Sequence, residues 1–103
     1  MDEIRAAFWE TYSYLFPAHA KAVQSESGAL TISWTMDGDP HARYTHAAPI
    51  LVRFEPDLVE AMRTATAEQR RNIARRHEPI LRAGMIGYDP YATVPKSRVI
   101  VLG

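Results

Sequence analysis

The sequence predicts an α+β fold: an antiparallel sheet of three to four strands with helices packed on one face, in the rough order α-β-β-β-α-α-β. Three observations carry that expectation. Residues 29–36 alternate, with Leu30, Ile32, Trp34 and Met36 set against Thr31, Ser33 and Thr35, the pattern of a strand with one buried face. Thr66-Ala67-Glu68-Gln69 reads as a capping box that opens a long helical run. Glycine- and proline-bearing turns separate the apolar segments between these two landmarks.

The first element is a helix over residues 3–16, with Asp2 as its N-cap and Ile4, Phe8, Thr11, Tyr12 and Leu15 sharing one face. Pro17 ends it. Residues 20–26 read as a first strand, joined through Ser27-Gly28 to the alternating strand; the competing reading extends helix through Ala18–Val23. Asp37-Gly38-Asp39-Pro40 is turn chemistry. A third strand follows over 43–54, with Tyr44, His46, Ala48, Ile50, Val52 and Phe54 on one face and Pro49 marking a bulge, an edge or a strand start.

Pro56 suits the first position of a short helix over 56–64. The capping-box helix runs over 66–83, with Pro79 kinking it and Gly84 as its stop. Residues 85–97 read as an ordered loop, and Val99-Ile100-Val101-Leu102 as a last strand. The expected core comprises Ile4, Phe8, Leu15, Leu30, Ile32, Trp34, Ile50, Val52, Phe54, Leu58, Met62, Ile73, Ile80, Val99 and Val101.

Composition narrows the function classes. A length of 103 residues, 47% hydrophobic and 23% charged, suits one globular domain spanning 1–103 and argues against global disorder. The absence of cysteine excludes disulfides, thiol catalysis and thiolate zinc sites. No window approaches the ~20 apolar residues of a membrane span, and the acidic start Met1-Asp2-Glu3 is no secretory signal, so the expected setting is soluble and cytoplasmic.

Charge is balanced overall but uneven. Residues 1–62 carry nine acids against four bases, whereas 63–82 carry six arginines against Glu68 and Glu78. At about 100° per residue, Arg71, Arg75 and Arg82 cluster on one face of the long helix, away from Ile73, His77, Ile80 and Leu81. Such a stripe would suit nucleic acid or another anion, but Glu78 to Arg82 and Glu68 to Arg71 fall at ion-pair spacing. A solvated, self-paired face is therefore the simpler reading. The helix-strand-strand-strand-helix order resembles double-stranded-RNA-binding domains in topology alone; the run opens on Thr66-Ala67-Glu68-Gln69 instead of a basic helix start, so no function is taken from it.

Two other groups bear on chemistry. His41 and His46 flank a turn holding Asp37 and Asp39, a set that could hold a divalent ion or, with Tyr44, a small molecule. A calcium loop would close on a glutamate where Ala48 stands, and turn residues explain the aspartates more simply. His77 falls on the apolar side of its helix, where a hydrogen-bonded, semi-buried histidine is the ordinary outcome. No phosphate loop, nucleophile elbow or paired-histidine metal motif is present, so no catalytic residue, metal or cofactor is assigned and an enzyme is not favoured.

The least ordinary feature is aromatic density. Phe8, Trp9, Tyr12, Tyr14 and Phe16 are five of the chain's ten aromatics. Phe8 and Tyr12 belong to the core face, whereas Trp9, Phe16 and Tyr14 fall on its shoulders and widen the apolar arc. Either the chain covers those shoulders itself, or they form a partner surface, most economically between two copies. The leading functional expectation is thus a non-enzymatic protein–protein interaction module that self-associates through Trp9, Phe16 and Tyr14. The alternatives are an anion binder using Arg71, Arg75 and Arg82, and a small-molecule site near His41 and His46.

Overall fold

A computed structural model describes residues 1–35, 47–89 and 97–103. The element order is α1 (Glu3–Tyr12), a 3-10 turn (Ser13–Leu15), β1 (Lys21–Gln24), β2 (Leu30–Ser33), β3 (Ile50–Phe54), α2 (Pro56–Thr64), α3 (Ala67–Gly84) and β4 (Arg98–Leu102). The strands lie side by side in chain order, β1-β2-β3-β4.

Local chemistry starts α1, α2 and α3 where the sequence places them, whereas β3 starts at Ile50 and the described residues 47–49 of the expected 43–54 strand are not strand. The Asp2 carboxylate accepts the backbone N–H of Arg5 at 2.8 Å and caps α1. Gly28, at φ 84°, turns the chain between β1 and β2, a backbone setting that favours glycine. Residues 21–24 are strand and not an extension of the first helix. Pro56 opens α2, and the full capping box opens α3: Gln69 N–H donates to Thr66 Oγ1 at 3.2 Å and Thr66 N–H to Gln69 Oε1 at 2.9 Å. Pro79 is contained within α3.

The sheet is mixed, which corrects the antiparallel expectation. β1–β2 and β2–β3 are antiparallel, but β3–β4 is parallel, with Ile50 opposite Arg98 and Phe54 opposite Leu102. The reason is the crossover. The 18 residues of α3 climb about 27 Å and return the chain to the starting end of β3, so the next strand must run the same way.

One helical layer covers one sheet face. Ile4, Phe8, Tyr12 and Phe16 from the N-terminal segment, Leu58 and Met62 from α2, and Ala74 and Leu81 from α3 meet Leu30, Ile32, Ile50, Val52, Ile100 and Leu102 in a single cluster. Tyr12 is fully buried, and its hydroxyl donates to the Ala74 carbonyl at 2.7 Å. At the last turn of α3, Gly84 lets the helix settle on the Ile100 side chain.

The core differs from expectation at several positions. Val99 and Val101 are exposed, and Ile100 and Leu102 take their place. The parallel register decides this, because Ile100 and Leu102 pair with Val52 and Phe54, whose face meets the helices. Ile80 is likewise exposed while neighbouring Leu81 is buried. Leu15, Trp34, Phe54 and Ile73 are partly buried and pack against the cluster.

Candidate interaction surface

The aromatic shoulder of α1 is largely covered within the chain. Trp9 packs on Phe16 (ring centroids 5.8 Å), Phe16 on Trp34 (5.9 Å) and Trp34 on Tyr88 (6.1 Å). Tyr88 comes from the segment after α3, and its hydroxyl donates to the Ala48 carbonyl. Burial pushes the Tyr88 hydroxyl's pKa up, and the Asp89 charge adds to this against the opposing pull of Arg98. Phe16 is only 7% exposed and belongs to the core, Trp9 is half-buried, and Tyr14 is 64% exposed. The three expected partner-surface residues differ in exposure, yet all three line one open concavity of about 450 Å³ together with Ser13, Pro17 and Ala20.

Tyr14 also meets α3. Its hydroxyl donates to the Glu78 carboxylate and accepts from Arg82 Nη2 at 2.8 Å, while the Arg82 guanidinium lies 5.9 Å from the ring centre. The Glu78–Arg82 pair closes at 3.7 Å. Arg82 is therefore occupied by partners within the chain. Arg71 and Arg75 are exposed, and Arg71 borders a groove between α1 and α3 that Glu3, Glu10 and Arg70 also line. Arg70 spans this groove to Glu3 at 3.0 Å. No ion pair joins Glu68 to Arg71 among the described residues.

His77 is half-buried, with Nδ1 2.8 Å from the Ile73 carbonyl oxygen, which accounts for it as a helix-bonded residue. His41, His46, Asp37, Asp39 and Tyr44 lie outside the described residues. Among the described residues no group of three or more His, Asp or Glu is placed to hold a metal ion, and no helix is long and apolar enough to cross a membrane.

The surface that sequence reasoning missed is the second face of the sheet. Strand parity puts Lys21, Val23, Thr31, Ser33, Leu51, Arg53, Val99 and Val101 there, and the register aligns Val23, Thr31, Leu51 and Val99 in a row across all four strands. No described helix packs on this face, since the helices' buried residues all join the opposite one. Val23 is 62% exposed, Val99 46% and Val101 47%. The sequence did hold a signal. The run Val99–Leu102 is apolar at both parities, so whichever pair is buried leaves the other on the far face.

The β4 edge adjoins this face. Arg98 N–H donates to the Pro49 carbonyl at 2.9 Å, and the Leu102 carbonyl accepts from Glu55 N–H at 2.8 Å. Both backbone groups of a strand residue point to the same side, and sides alternate. Arg98, Ile100 and Leu102 thus bond inward to β3, and Val99 and Val101 direct their N–H and C=O groups outward from the sheet.

Compared with known protein families, curated proteins and solved structures, the chain matches none.

Proposed function

We propose that this chain is a non-enzymatic protein–protein interaction module whose contact surface is the second face of its sheet. The observation that carries the reading is the row Val23–Thr31–Leu51–Val99, extended by Val101 beside Arg53. Three valines in or beside that row stand about half exposed, rimmed by Lys21, Ser33 and Arg53. A contiguous apolar patch with a polar rim is the usual form of a protein contact site. A sheet with helices on one side leaves that patch for a partner to cover. The anion-binding alternative draws less support, because Arg82 is held by Tyr14 and Glu78, and Glu3 and Glu10 border Arg71.

The test is site-specific photo-crosslinking in the expressing cell. Benzoyl-phenylalanine in place of Val23 or Val101 is expected to give covalent protein adducts of defined mass, and the same group in place of exposed Arg76 in α3 is expected to give none. Equal adduct patterns at all three positions, or no adducts at Val23 and Val101, would overturn the reading.

A further inference from the structure

We infer that the partner is a second copy of this chain, joined through antiparallel pairing of β4 with its counterpart about a two-fold axis at Ile100. This rests on the proposed reading of the second face as a contact surface and names the occupant of its β4 end alone; edge pairing extends the sheet in its own plane and leaves Val23, Thr31 and Leu51 uncovered. The first support is the hydrogen-bonding pattern of the edge. Val99 and Val101 present two N–H and two C=O groups outward, which follows from the inward bonds of Arg98 and Leu102. Centring two such strands on Ile100 sets Val99 opposite Val101 of the other copy. Each such pair exchanges both of its hydrogen bonds, the two-fold axis repeats it, and every outward group of both strands is satisfied by a residue of the strand. Registers centred on Val99 or Val101 must instead draw on Ser97 or Gly103.

The side chains agree with that register. Val99 and Val101, each about half exposed, come side by side on the second face. Ile100 falls opposite its counterpart, and since it is buried beneath α3 of its own chain its side chain adds no contact area. Arg98 falls opposite Leu102, so no like charges oppose. Above β4, Gly84 seats α3 on Ile100. Ile80 lies about 160° around α3 from Glu78, the residue that faces Tyr14, which puts it on the flank away from α1. Ile80 and the following Ile86 are both exposed, so four of the exposed large apolar residues belong to α3's end and β4. Their side chains offer on the order of 400 Å² per subunit, and the strand backbone adds to this, toward the ~800 Å² that each partner gives to a standard interface.

The other edge is less suited. β1 carries Lys21, and Asp2 N–H bonds the Gln24 side chain at its end. In β4 the one charged residue, Arg98, stands at the start of the strand, and no proline, lysine or bulge interrupts Val99–Leu102.

The cysteine-free chain permits a register-specific test. In the proposed pairing the Cα atoms of Val99 and the other copy's Val101 sit ~5.5 Å apart, within disulfide reach, whereas Val99 and its own counterpart sit about 8 Å apart, outside it. An equimolar mixture of Val99→Cys and Val101→Cys is expected to give a covalent dimer of one chain of each under mild oxidation, and neither variant alone is expected to cross-link. Sedimentation gives the second readout, with the wild type a dimer and Val101→Pro a monomer of unchanged circular dichroism. Proline at 101 removes an outward N–H only, so the bonds to β3 survive.

A wild type that stays monomeric up to millimolar concentration, a cross-link in either single variant, or a folded Val101→Pro that still dimerises would each overturn the pairing. If the pairing fails while Val23 and Val101 photo-adducts to another protein persist, the interaction reading stands with a different occupant. If the adducts fail as well, both fall.

Discussion

Gly84→Ala tests how α3 is seated on β4. A Cβ at position 84 would lie 2.9 Å from both Cγ1 and Cγ2 of Ile100 and 3.1 Å from its Cδ1. Carbon atoms prefer ~3.5–4.0 Å, so two contacts are short by more than half an ångström. Neither γ carbon is the loose end of a flexible chain. Both hang directly from the Cβ of a strand residue that is 3% exposed and held between α3 and β3. Overpacking of this kind costs about 1–3 kcal/mol. Against it stands the helix preference of alanine over glycine, roughly 0.5–1 kcal/mol in a helix interior and less at the final residue of α3. The packing cost wins, leaving a net loss of about 1–2 kcal/mol.

For a domain of this length each kcal/mol moves Tm by roughly 4–8 °C, so thermal unfolding followed by circular dichroism is expected to show a drop of about 4–16 °C. Ile100→Ala removes all three crowding carbons. In that background Gly84→Ala is expected to lose its penalty, giving a coupling of ~1 kcal/mol or more in the double-mutant cycle. A Gly84→Ala protein as stable as wild type, or additive behaviour in the cycle, would refute the seating of α3 on Ile100.

Substitutions at three further positions test the fold. Tyr12→Phe removes a buried donor to the Ala74 carbonyl and is expected to cost about 1 kcal/mol in urea unfolding. Burial, reinforced by the Glu78 charge, holds the Tyr12 hydroxyl's pKa well above its ordinary 10.0. The unfolded chain therefore ionises first, so this tyrosine's contribution is intact below pH 10 and declines as pH rises beyond it; Tyr12→Phe is expected to flatten that alkaline decline. Thr66→Ala breaks the capping box and is expected to cost ~1 kcal/mol, with Thr66→Asp near wild type; equal unfolding midpoints for all three proteins would contradict the cap. Gly28→Ala forces a Cβ onto a φ of 84° and within 2.7 Å of Arg5 Nη2. A loss of about 1–2 kcal/mol is expected, and an unchanged midpoint would remove the strain argument.

The elements that were legible in the sequence are those with local causes. Asp2, Gly28, Pro56 and the Thr66–Gln69 box act on neighbours within four residues, and the structure has an element boundary at each. The alternation of Leu30 and Ile32 with Thr31 and Ser33 identifies a buried face because its two faces differ chemically. What escaped has non-local causes. The direction of β4 depends on a crossover of two helices, and its parity on a register against β3. Adjacent Ile80 and Leu81 offered two equally apolar choices for one buried position. The cover over the aromatic shoulder comes from Trp34 and Tyr88, far along the chain from Trp9, and the loss of Arg82 from a free basic stripe depends on Tyr14 reaching across to α3.

The misplaced valines and the proposed contact surface have one physical origin. A continuous apolar run such as Val99–Leu102 is the pattern of a strand buried on both faces, which is why it reads as core. Two-sided burial needs a layer on each side, and the described helices supply only one. Placed at the sheet edge, the run keeps Ile100 and Leu102 inside and commits Val99 and Val101, with their outward backbone groups, to the exterior. Nothing in strand geometry requires valine on a permanently wetted edge; threonine or lysine would keep the pairing to β3 and guard the edge as well. The same choice recurs at Val23, on the other edge strand and the same face, opposite Thr31. In the proposed pairing a second copy covers the β4 end of that row, Val99 and Val101, and completes the hydrogen bonds of the edge, whereas Val23, on the opposite edge strand, stays on the open face.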